Sequence, residues 1–343
     1  MSVLDGFTDA SIRSCAQARA AGELGAFPTE TVYGLGADAS NDAAVAKIFA
    51  AKGRPSNHPL IVHVDDSRQG ADGVAHFASA VPAFAQRLMQ VFWPGPLTLI
   101  LPRRADVGAV AAAGQTSIGL RCPAHPVAQA LLRQCRALGV AGLAAPSANQ
   151  FGRISPTSAA HVVGEFGDGL LVLDGGSCAV GIESTIVDCT RGVPVLLRPG
   201  GIGAAQLQAA IGQRIWSDDE AVQSLPGAAA PRASGTLEAH YAPRAKLRLM
   251  DARGLQTALD LLGKVPQHSD PVIATYARVV LRSASQAVWQ RRMPQDAVAT
   301  AQQLFAVLRE FDARGVKLIW VETPPATPDW DGVRDRLQRA AAA

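Results

Sequence analysis

Two basic side chains and a hydroxyl-rich stretch in the first part of the chain could together hold phosphate groups. Lys52 and Arg54 flank Gly53, and the polar run Thr29-Glu30-Thr31 precedes them. Lysine supplies a compact positive charge, and arginine supplies a planar fork that matches phosphate oxygens. Transfer of a phosphoryl or nucleotidyl group needs positioned charge more than covalent chemistry. The pair therefore indicates a phosphate site. The simpler interpretation is that basic residues at the end of a helix only interact favourably with the helix dipole.

A short helix and a strand would position this pair. Val45, Ile48 and Phe49 repeat at the spacing of the buried face of a helix. Gly53 is typical of the residue that follows a helix C-terminus. The apolar run 60–64 has the composition of a strand. The pattern predicts that both cations lie on a rigid turn between these two elements.

Further polar residues follow other predicted elements. Arg121 ends a predicted strand just before Pro123, and Ser147–Asn149 follow an apolar strand predicted over 140–145. Arg198 precedes a Pro-Gly turn. Each has a simpler interpretation, as a surface cation or as an ordinary polar turn. For His63, on a predicted buried strand, the simpler interpretation is a core histidine with its hydrogen bonds satisfied.

Length and composition limit the class of protein. A chain of 343 residues favours two domains. A hydrophobic content of 48% beside a charged content of 18% is typical of a folded globular protein. The net charge of +3 is too small to indicate a nucleic-acid partner. The five cysteines are odd in number and form no C-x-x-C pair, which favours reduced, buried thiols.

Targeting and membrane signals are not seen in the sequence. The N-terminal residues lack the apolar core of a signal peptide, and no run approaches the ~20 apolar residues that span a bilayer. We therefore expect a cytoplasmic protein without membrane contact. The seven histidines are scattered without ligand spacing, so no protein metal site is predicted.

The order of predicted elements divides the chain into three parts. Strands and helices alternate over 1–212, but the later strands form hairpins, which favours a mixed α/β domain. Residues 213–245 are rich in proline and glycine and are predicted to be a linker. Residues 246–343 predict a small βαβ, Rossmann-like domain. This last part has neither G-x-G-x-x-G nor a Walker sequence, so we assign it no nucleotide.

Several long motifs resemble the YrdC family of threonylcarbamoyl-adenylate synthases. The stretch 27–64 contains PTET-x-YGLG, KGRP and HPLIVHV, and later matches are PSAN at 146–149, ESTIVD at 183–188 and LRPG at 197–200. The resemblance covers about residues 8–210, and a weaker one continues to the C-terminus. His240–Pro243 resembles the HYAP segment in the linker of the longer, two-domain members.

The resemblance implies a fold and a reaction. The fold would be a twisted, open mixed sheet around a concave cavity. The enzyme would be a nucleotidyltransferase that condenses L-threonine, bicarbonate and ATP, with Mg²⁺, to L-threonylcarbamoyladenylate and pyrophosphate. Separate tRNA threonylcarbamoyltransferase proteins would then use the product to modify adenosine 37 of tRNA.

The resemblance also implies site residues. Lys52 and Arg54 would be the catalytic cations. The ATP site would comprise Lys52, Arg54, His58, Ser117, Ser147, Asn149, Ser155, Arg198 and Tyr241. The threonine site would comprise Thr31, Tyr33, His63, Arg121, Ala145 and Ser184. His58 departs from the family pattern, in which many relatives have asparagine at this position.

Two alternatives and one further expectation remain. An RNA-binding module would need a broad basic stripe or an aromatic platform, whereas this chain has 5% aromatic residues and interleaved charges. A carbamoyltransferase of the hydrogenase-maturation type would need acylphosphatase and zinc segments. The expectation concerns Tyr241, which we predict to fold over the cavity as part of a lid that the C-terminal domain anchors.

Overall fold

The described part of the chain forms two compact units. The computed structural model describes residues 3–224, 230–262 and 272–343. The first unit contains the residues up to Phe151 together with Ser155–Thr236. The second unit contains Gly152–Ile154 together with Leu237–Ala343. Residues 225–229, part of the proline- and glycine-rich stretch of the predicted linker, lie outside the described residues.

The first unit is built on one large mixed sheet. Its strands are β1 Val3–Asp5, β2 Gly25–Phe27, β3 Gly34–Asp38, β4 Ile61–His63, β5 Leu97–Pro102, β6 Ser117–Arg121, β7 Leu143–Ala144, β8 Val172–Asp174, β9 Thr185–Asp188, β10 Val195–Arg198 and β11 Trp216–Ser217. They are ordered β1-β8-β2-β3-β7-β4-β6-β5-β9-β10-β11. The sheet contains both parallel pairs, such as β4–β6, and antiparallel pairs, such as β5–β6. This confirms the predicted mixed α/β class.

Helices cover this sheet. They are α1 Asp9–Ala20, α2 Asp42–Lys52, α3 Ala71–Phe77, α4 Ala83–Phe92, α5 Pro126–Ala137, α6 Ala159–Phe166, α7 Ala204–Ile211 and α8 Asp218–Ser224. One apolar core joins α1 and α5 to strand residues that include Phe27 and Leu143. A larger core contains Val45, Ile48 and Phe49 of α2, the three residues whose spacing predicted that helix.

The helix α2 ends as its sequence predicts. The side chain of Asn41 accepts a hydrogen bond from the Ala44 amide at 3.0 Å and caps the first turn. Gly53 follows the last turn with φ 60°, a left-handed conformation that glycine adopts without steric cost. This ending fixes Lys52 in the last turn and Arg54 just beyond it.

Two predictions for the first unit need correction. The apolar run 140–145 contributes only the two residues of β7, which pair with β3 and β4. The region predicted as linker begins with β11 and α8, and β11 pairs in parallel with β10. The sequence did not indicate these elements because both are short and depend on contacts with distant strands.

The second unit is a small parallel sheet with helices. Its elements are β12 Lys246–Met250, α9 Ala252–Leu262, β13 Ile273–Ala277, β14 Val288–Arg292, α10 Ala297–Ala313, β15 Leu318–Glu322 and α11 Asp331–Ala341. The strand order is β12-β15-β13-β14, and every pair is parallel. The βαβ prediction is confirmed, but β14 was not predicted because its last three residues are polar and exposed. Over the described ranges, no helix is both long enough and apolar enough to cross a membrane.

Candidate active site

Lys52 holds the loop that follows β7. Its ammonium donates hydrogen bonds to the main-chain carbonyls of Ser147, at 2.6 Å, and of Asn149. The Phe151 amide returns a bond to the Lys52 carbonyl at 2.9 Å. The side chain is 2% exposed, and burial, with a smaller effect of Arg54, lowers its pKa well below the usual range. The observed contacts of Lys52 therefore position the loop, and its direct contact with phosphate stays a prediction.

Arg54 and Arg198 converge on one residue from a distant part of the chain. Arg54 Nη2 lies 3.1 Å from the Pro59 carbonyl and 3.3 Å from the Ser234 hydroxyl oxygen. Arg198 Nη1 donates to the Ser234 carbonyl at 2.8 Å, and its Nε and Nη2 donate to the Ser184 carbonyl at 3.0 and 2.8 Å. Two guanidinium groups thus meet at the same place, as an anion-binding site requires.

A cavity opens beside Pro59 and Ser234, two residues that these arginines contact. Its walls are formed by Pro59, Leu60, Ile61, Thr98, Ile100, Gln115, Ser117, Gly119, Ile186, Arg232, Ala233 and Ser234. Gln115 fixes the last segment, because its side-chain oxygen accepts from the Arg232 amide at 2.8 Å and its nitrogen donates to the Arg232 carbonyl at 3.2 Å. Part of the predicted linker therefore lines the cavity.

A second polar group surrounds Arg121, which ends β6. Its guanidinium lies 2.6 Å from a carboxylate oxygen of Glu30 and 2.8 Å from the Thr31 hydroxyl. Strand pairing places His63 beside this group, because His63 of β4 is the register partner of Arg121 of β6. Burial, with a smaller effect of Arg121, lowers the pKa of His63 to about 3. The histidine is therefore neutral at physiological pH.

The hydroxyls next to Arg121 have a fixed direction. Thr29 lies 2.6 Å from the Val32 carbonyl, which can only accept, so the Thr29 hydroxyl donates there. The 2.8 Å contact between Thr29 and Thr31 must then use the Thr31 proton. Thr31 therefore presents a lone pair rather than a proton to its surroundings, including the Arg121 guanidinium.

Ser184 bonds to Arg198 and to the wall of the cavity. Its hydroxyl lies 3.1 Å from Arg198 Nη2 and 2.8 Å from the Thr98 hydroxyl, and Thr98 lines the cavity. Arg121 approaches the same region through its Nε, which lies 3.3 Å from the Gly95 carbonyl on the turn before β5. The next carbonyl, that of Pro96, accepts from the amide of Thr185 at 3.0 Å, so the two groups bond to neighbouring positions of the first unit.

The remaining predicted residues occupy different places. Tyr33 is fully buried, and its hydroxyl lies 3.0 Å from Asp174 and 2.7 Å from the Gly176 carbonyl, so its polar end is engaged in the wall. Ala145 donates its amide to the Ile61 carbonyl at 2.9 Å. His58 packs against Phe151 at 5.5 Å between ring centroids.

Ser155 and Tyr241 complete the predicted set. The Ser155 hydroxyl donates to a carboxylate oxygen of Glu183. Tyr241 belongs to the second unit, where its ring lies 5.5 Å from that of Phe305 and 5.3 Å from the Arg336 guanidinium. Its φ of 62° is a strained conformation for tyrosine, a feature that is often associated with a functional position.

Sequence reasoning missed three residues that shape the site. Glu30 was noted only as part of the polar run Thr29-Glu30-Thr31 and was not assigned to the site. Gln115 and Ser234 act through contacts with segments more than a hundred positions away. Among the described residues, no group of three or more histidine, cysteine, aspartate or glutamate side chains could hold a metal ion.

Comparisons with known proteins identify the family. Residues 17–200 match the Sua5/YciO/YrdC family model, which is described as telomere recombination. Residues 202–342 match the model described as threonylcarbamoyl-AMP synthase, C-terminal domain. The chain belongs to the threonylcarbamoyl-AMP synthase family. The two matches together show the two-domain type that the HYAP segment indicated.

Relatives of the family match nearly the whole chain. Threonylcarbamoyl-AMP synthase of Bacillus subtilis is 39% identical over 327 residues, which cover 93% of this chain and 89% of the relative. The synthase of Pyrococcus abyssi is 37% identical over 93% of this chain and 91% of the relative. The structure of P. abyssi Sua5 complexed with L-threonine has a TM-score of 0.83 and 34% identity, covering 96% of this chain and 94% of that chain. As a family member, the chain is an ATP-using, adenylate-forming enzyme of the nucleotidyltransferase type.

Proposed function

We propose that this enzyme condenses L-threonine, bicarbonate and ATP to L-threonylcarbamoyladenylate and releases pyrophosphate. One observation carries the proposal: the arginines suited to phosphates and the buried group suited to a small zwitterion bond to neighbouring positions of the first unit. Ser184 bonds to Arg198, and the Gly95-Pro96 turn bonds both to Thr185, the next residue, and to Arg121. ATP and an amino acid bound at the two ends would place their reacting atoms near this serine. The threonine complex of the P. abyssi relative supports the identity of the amino acid.

Arg54 and Arg198 would bind the phosphates. Their forks already point at oxygen acceptors of the chain, the carbonyl and hydroxyl of Ser234. Phosphate oxygens would accept from the same donors and would gain charge as pyrophosphate departs. Preorganised cations stabilise such charge without reorganisation at the moment of reaction. Lys52 would act by holding the Ser147–Asn149 loop against the nucleotide.

The group around Arg121 would bind threonine. The guanidinium would hold the substrate carboxylate, and its pairing with Glu30 fixes the direction of the fork. The lone pair of Thr31 suits an ammonium or hydroxyl donor of the substrate. Neutral His63 can contribute shape and hydrogen bonds but no charge. Tyr33 and Ala145 would form the wall behind this pocket.

The proposed chemistry requires no strong general base. The threonine amine attacks the carbon of bicarbonate, a C–N bond forms and water leaves, which gives a carbamate. A carbamate oxygen then attacks the α-phosphorus, and the bond from this phosphorus to the bridging oxygen of pyrophosphate breaks. The carbamate is already anionic, so positioning and charge stabilisation are the main tasks of the protein.

Mg²⁺ would arrive with ATP. A nucleotide-bound Mg²⁺ is held mostly by phosphates and water, with one or two carboxylates at most. The site fits this mode, since Ser155 and Glu183 supply a hydroxyl and a single carboxylate instead of a cage. The metal would offset negative charge on the phosphates when bound. The product would then pass to tRNA threonylcarbamoyltransferase proteins.

The predicted domains and lid form part of the proposal. The catalytic part corresponds to 1–212 and the C-terminal domain to 246–343, with the segment 213–245 between them. Arg232–Ser234 would act as the cavity-side part of the lid, since they line the cavity. Tyr241 would help to close the site over bound substrate, as predicted from its place in the proline- and glycine-rich segment.

Pyrophosphate release tests the function. Release from ATP should require both threonine and bicarbonate, and omission of either should reduce it to background. Release that is equally fast with ATP alone would contradict the proposal. A protein that binds double-stranded RNA tightly and releases no pyrophosphate under any of these conditions would favour the RNA-binding alternative.

A further inference from the structure

A three-residue stretch beside the proposed nucleotide loop belongs to the second unit. Gly152–Ile154 group with Leu237–Ala343, although the residues on both sides of them belong to the first unit. In sequence they lie between Asn149 and Ser155, two residues proposed for ATP. The second unit therefore contains the middle of the chain segment that links these two residues.

Main-chain and side-chain contacts within the second unit hold this stretch. The Ala242 amide donates to the Gly152 carbonyl at 2.8 Å, and Arg153 forms a parallel bridge with Ala242. The guanidinium of Arg309 donates to the Ile154 carbonyl. Ile154 itself is 2% exposed. The stretch is thus fixed at both ends, by the HYAP segment and by α10.

The helix α10 supports both of these contacts. Phe305 packs against the ring of Tyr241, the residue before Ala242. Arg309 lies one helical turn after Phe305 and therefore projects from the same face of α10. Because one rigid helix carries both side chains, the position of the HYAP segment and that of Ile154 are set together.

The stretch needs such support. Gly152 has φ 80°, and a Cβ there would meet nothing within 4 Å, so glycine serves the backbone conformation and not close packing. A glycine in a loop adds conformational freedom that must be removed when the loop is ordered. A charge-assisted hydrogen bond from arginine to a buried carbonyl restricts this freedom more strongly than a neutral one.

We propose that Arg309 is a positioning residue for nucleotide binding, which acts by holding the Ile154 carbonyl and thereby the segment from Asn149 to Ser155. This inference rests on the proposed function, because it takes ATP as the ligand of those two residues. It also gives the C-terminal domain a part in substrate binding besides anchoring a linker. Arg309 itself need not touch the substrate.

The test compares Arg309→Ala, Arg309→Lys and a control, Arg291→Ala. Arg291 belongs to the same unit, is half-exposed and lies 4.0 Å from Glu310. In Arg309→Ala, KM for ATP should rise about tenfold while KM for threonine changes less than about twofold, the scale of one lost charged hydrogen bond. Lysine can still donate to the carbonyl, so KM for ATP should rise less in Arg309→Lys than in Arg309→Ala. Arg291→Ala should match the wild type.

Hydrogen exchange measured by mass spectrometry separates this inference from the proposed function. Peptides that contain residues 150–155 should exchange faster in Arg309→Ala than in the wild type or the control, because the Phe151 amide bonded to Lys52 becomes exposed more often. Unchanged exchange in these peptides would overturn the positioning role, whatever the activity. An equal rise in both KM values would also overturn it. An inactive wild type would contradict the proposed function. The exchange result would still show whether Arg309 orders residues 150–155.

Discussion

The guanidinium of Arg198 donates to the main-chain carbonyl of Ser234 at 2.8 Å. The hydroxyl of the same serine lies 3.3 Å from Arg54 Nη2 and donates to the Pro59 carbonyl at 2.7 Å. One residue of the predicted linker thus bridges the two arginines that we propose for the phosphates. Because phosphate oxygens accept from the same donors, the linker and the nucleotide share these arginines, and the state of one should depend on the presence of the other.

The first prediction concerns charge at the phosphates. Arg54→Ala should lower the turnover of pyrophosphate release by more than ~10²-fold, since one preorganised contact to developing charge has an effect of that order. The turnover of Arg54→Lys should lie between those of the wild type and Arg54→Ala, because lysine keeps the charge but lacks the planar fork. A suitable control is Arg68→Ala, whose side chain is 79% exposed and 3.4 Å from Asp72. Near wild-type turnover in Arg54→Ala would place the phosphates elsewhere.

The second prediction concerns the choice of amino acid. Serine lacks only the methyl group of threonine, so its kcat/KM should be lower by about tenfold. Valine lacks the hydroxyl and would leave buried polar groups such as Thr31 and Ser184 without that partner, so it should be rejected by more than ~10²-fold. Steady-state pyrophosphate release with each amino acid measures both ratios. Equal kcat/KM values for the three would leave a generic amino-acid adenylating enzyme.

Local signals made part of this structure predictable from the sequence. The apolar spacing in α2 and the glycine at 53 lie within one short stretch, so the position of Lys52 and Arg54 followed from it. Elements that depend on distant partners could not be predicted from local signals. The strand β14 is a polar edge strand, and β11 is only two residues long.

The sequence proposed the types of the candidate site residues but not the directions of their side chains. Arg54 and Arg198 were identified as cations, whereas their meeting at Ser234 depends on contacts across 180 and 36 positions of sequence. Tyr33 is a further example, because nothing in its spacing reveals that its hydroxyl faces Asp174. Motif similarity proposes candidate residues, and only the folded chain shows which atoms each of them contacts.

The third prediction concerns pH. The pKa of His63 is about 3 in the folded protein, against an ordinary value of 6.5, because burial and Arg121 disfavour the charged form. Between these values the unfolded chain binds the additional proton, so the contribution of His63 to the free energy of unfolding falls as pH falls from about 6.5 towards 3. One group contributes at most ~1.4 kcal/mol per pH unit. Urea unfolding of His63→Gln from pH 7 to 4.5 should show a shallower dependence than the wild type, and identical slopes would contradict the prediction.

The last prediction concerns the lid. Trypsin can cleave after Arg232, which lines the cavity, and after Arg214, whose side chain is 60% exposed in an ion pair with Glu220. If Arg232–Ser234 close over bound substrates, ATP with threonine should slow cleavage after Arg232 and leave cleavage after Arg214 unchanged. Gln115→Ala removes both bonds to the Arg232 main chain and should speed cleavage there without ligand.

The three possible outcomes with substrates have different meanings. Slower cleavage after Arg232 supports a lid that packs on the nucleotide. Faster cleavage would show that phosphates displace Ser234 from Arg54 and Arg198, so that the segment blocks the site and does not cover bound substrate. An unchanged rate would reduce the segment to a tether, because a residue that shares two arginines with ATP must respond when ATP binds.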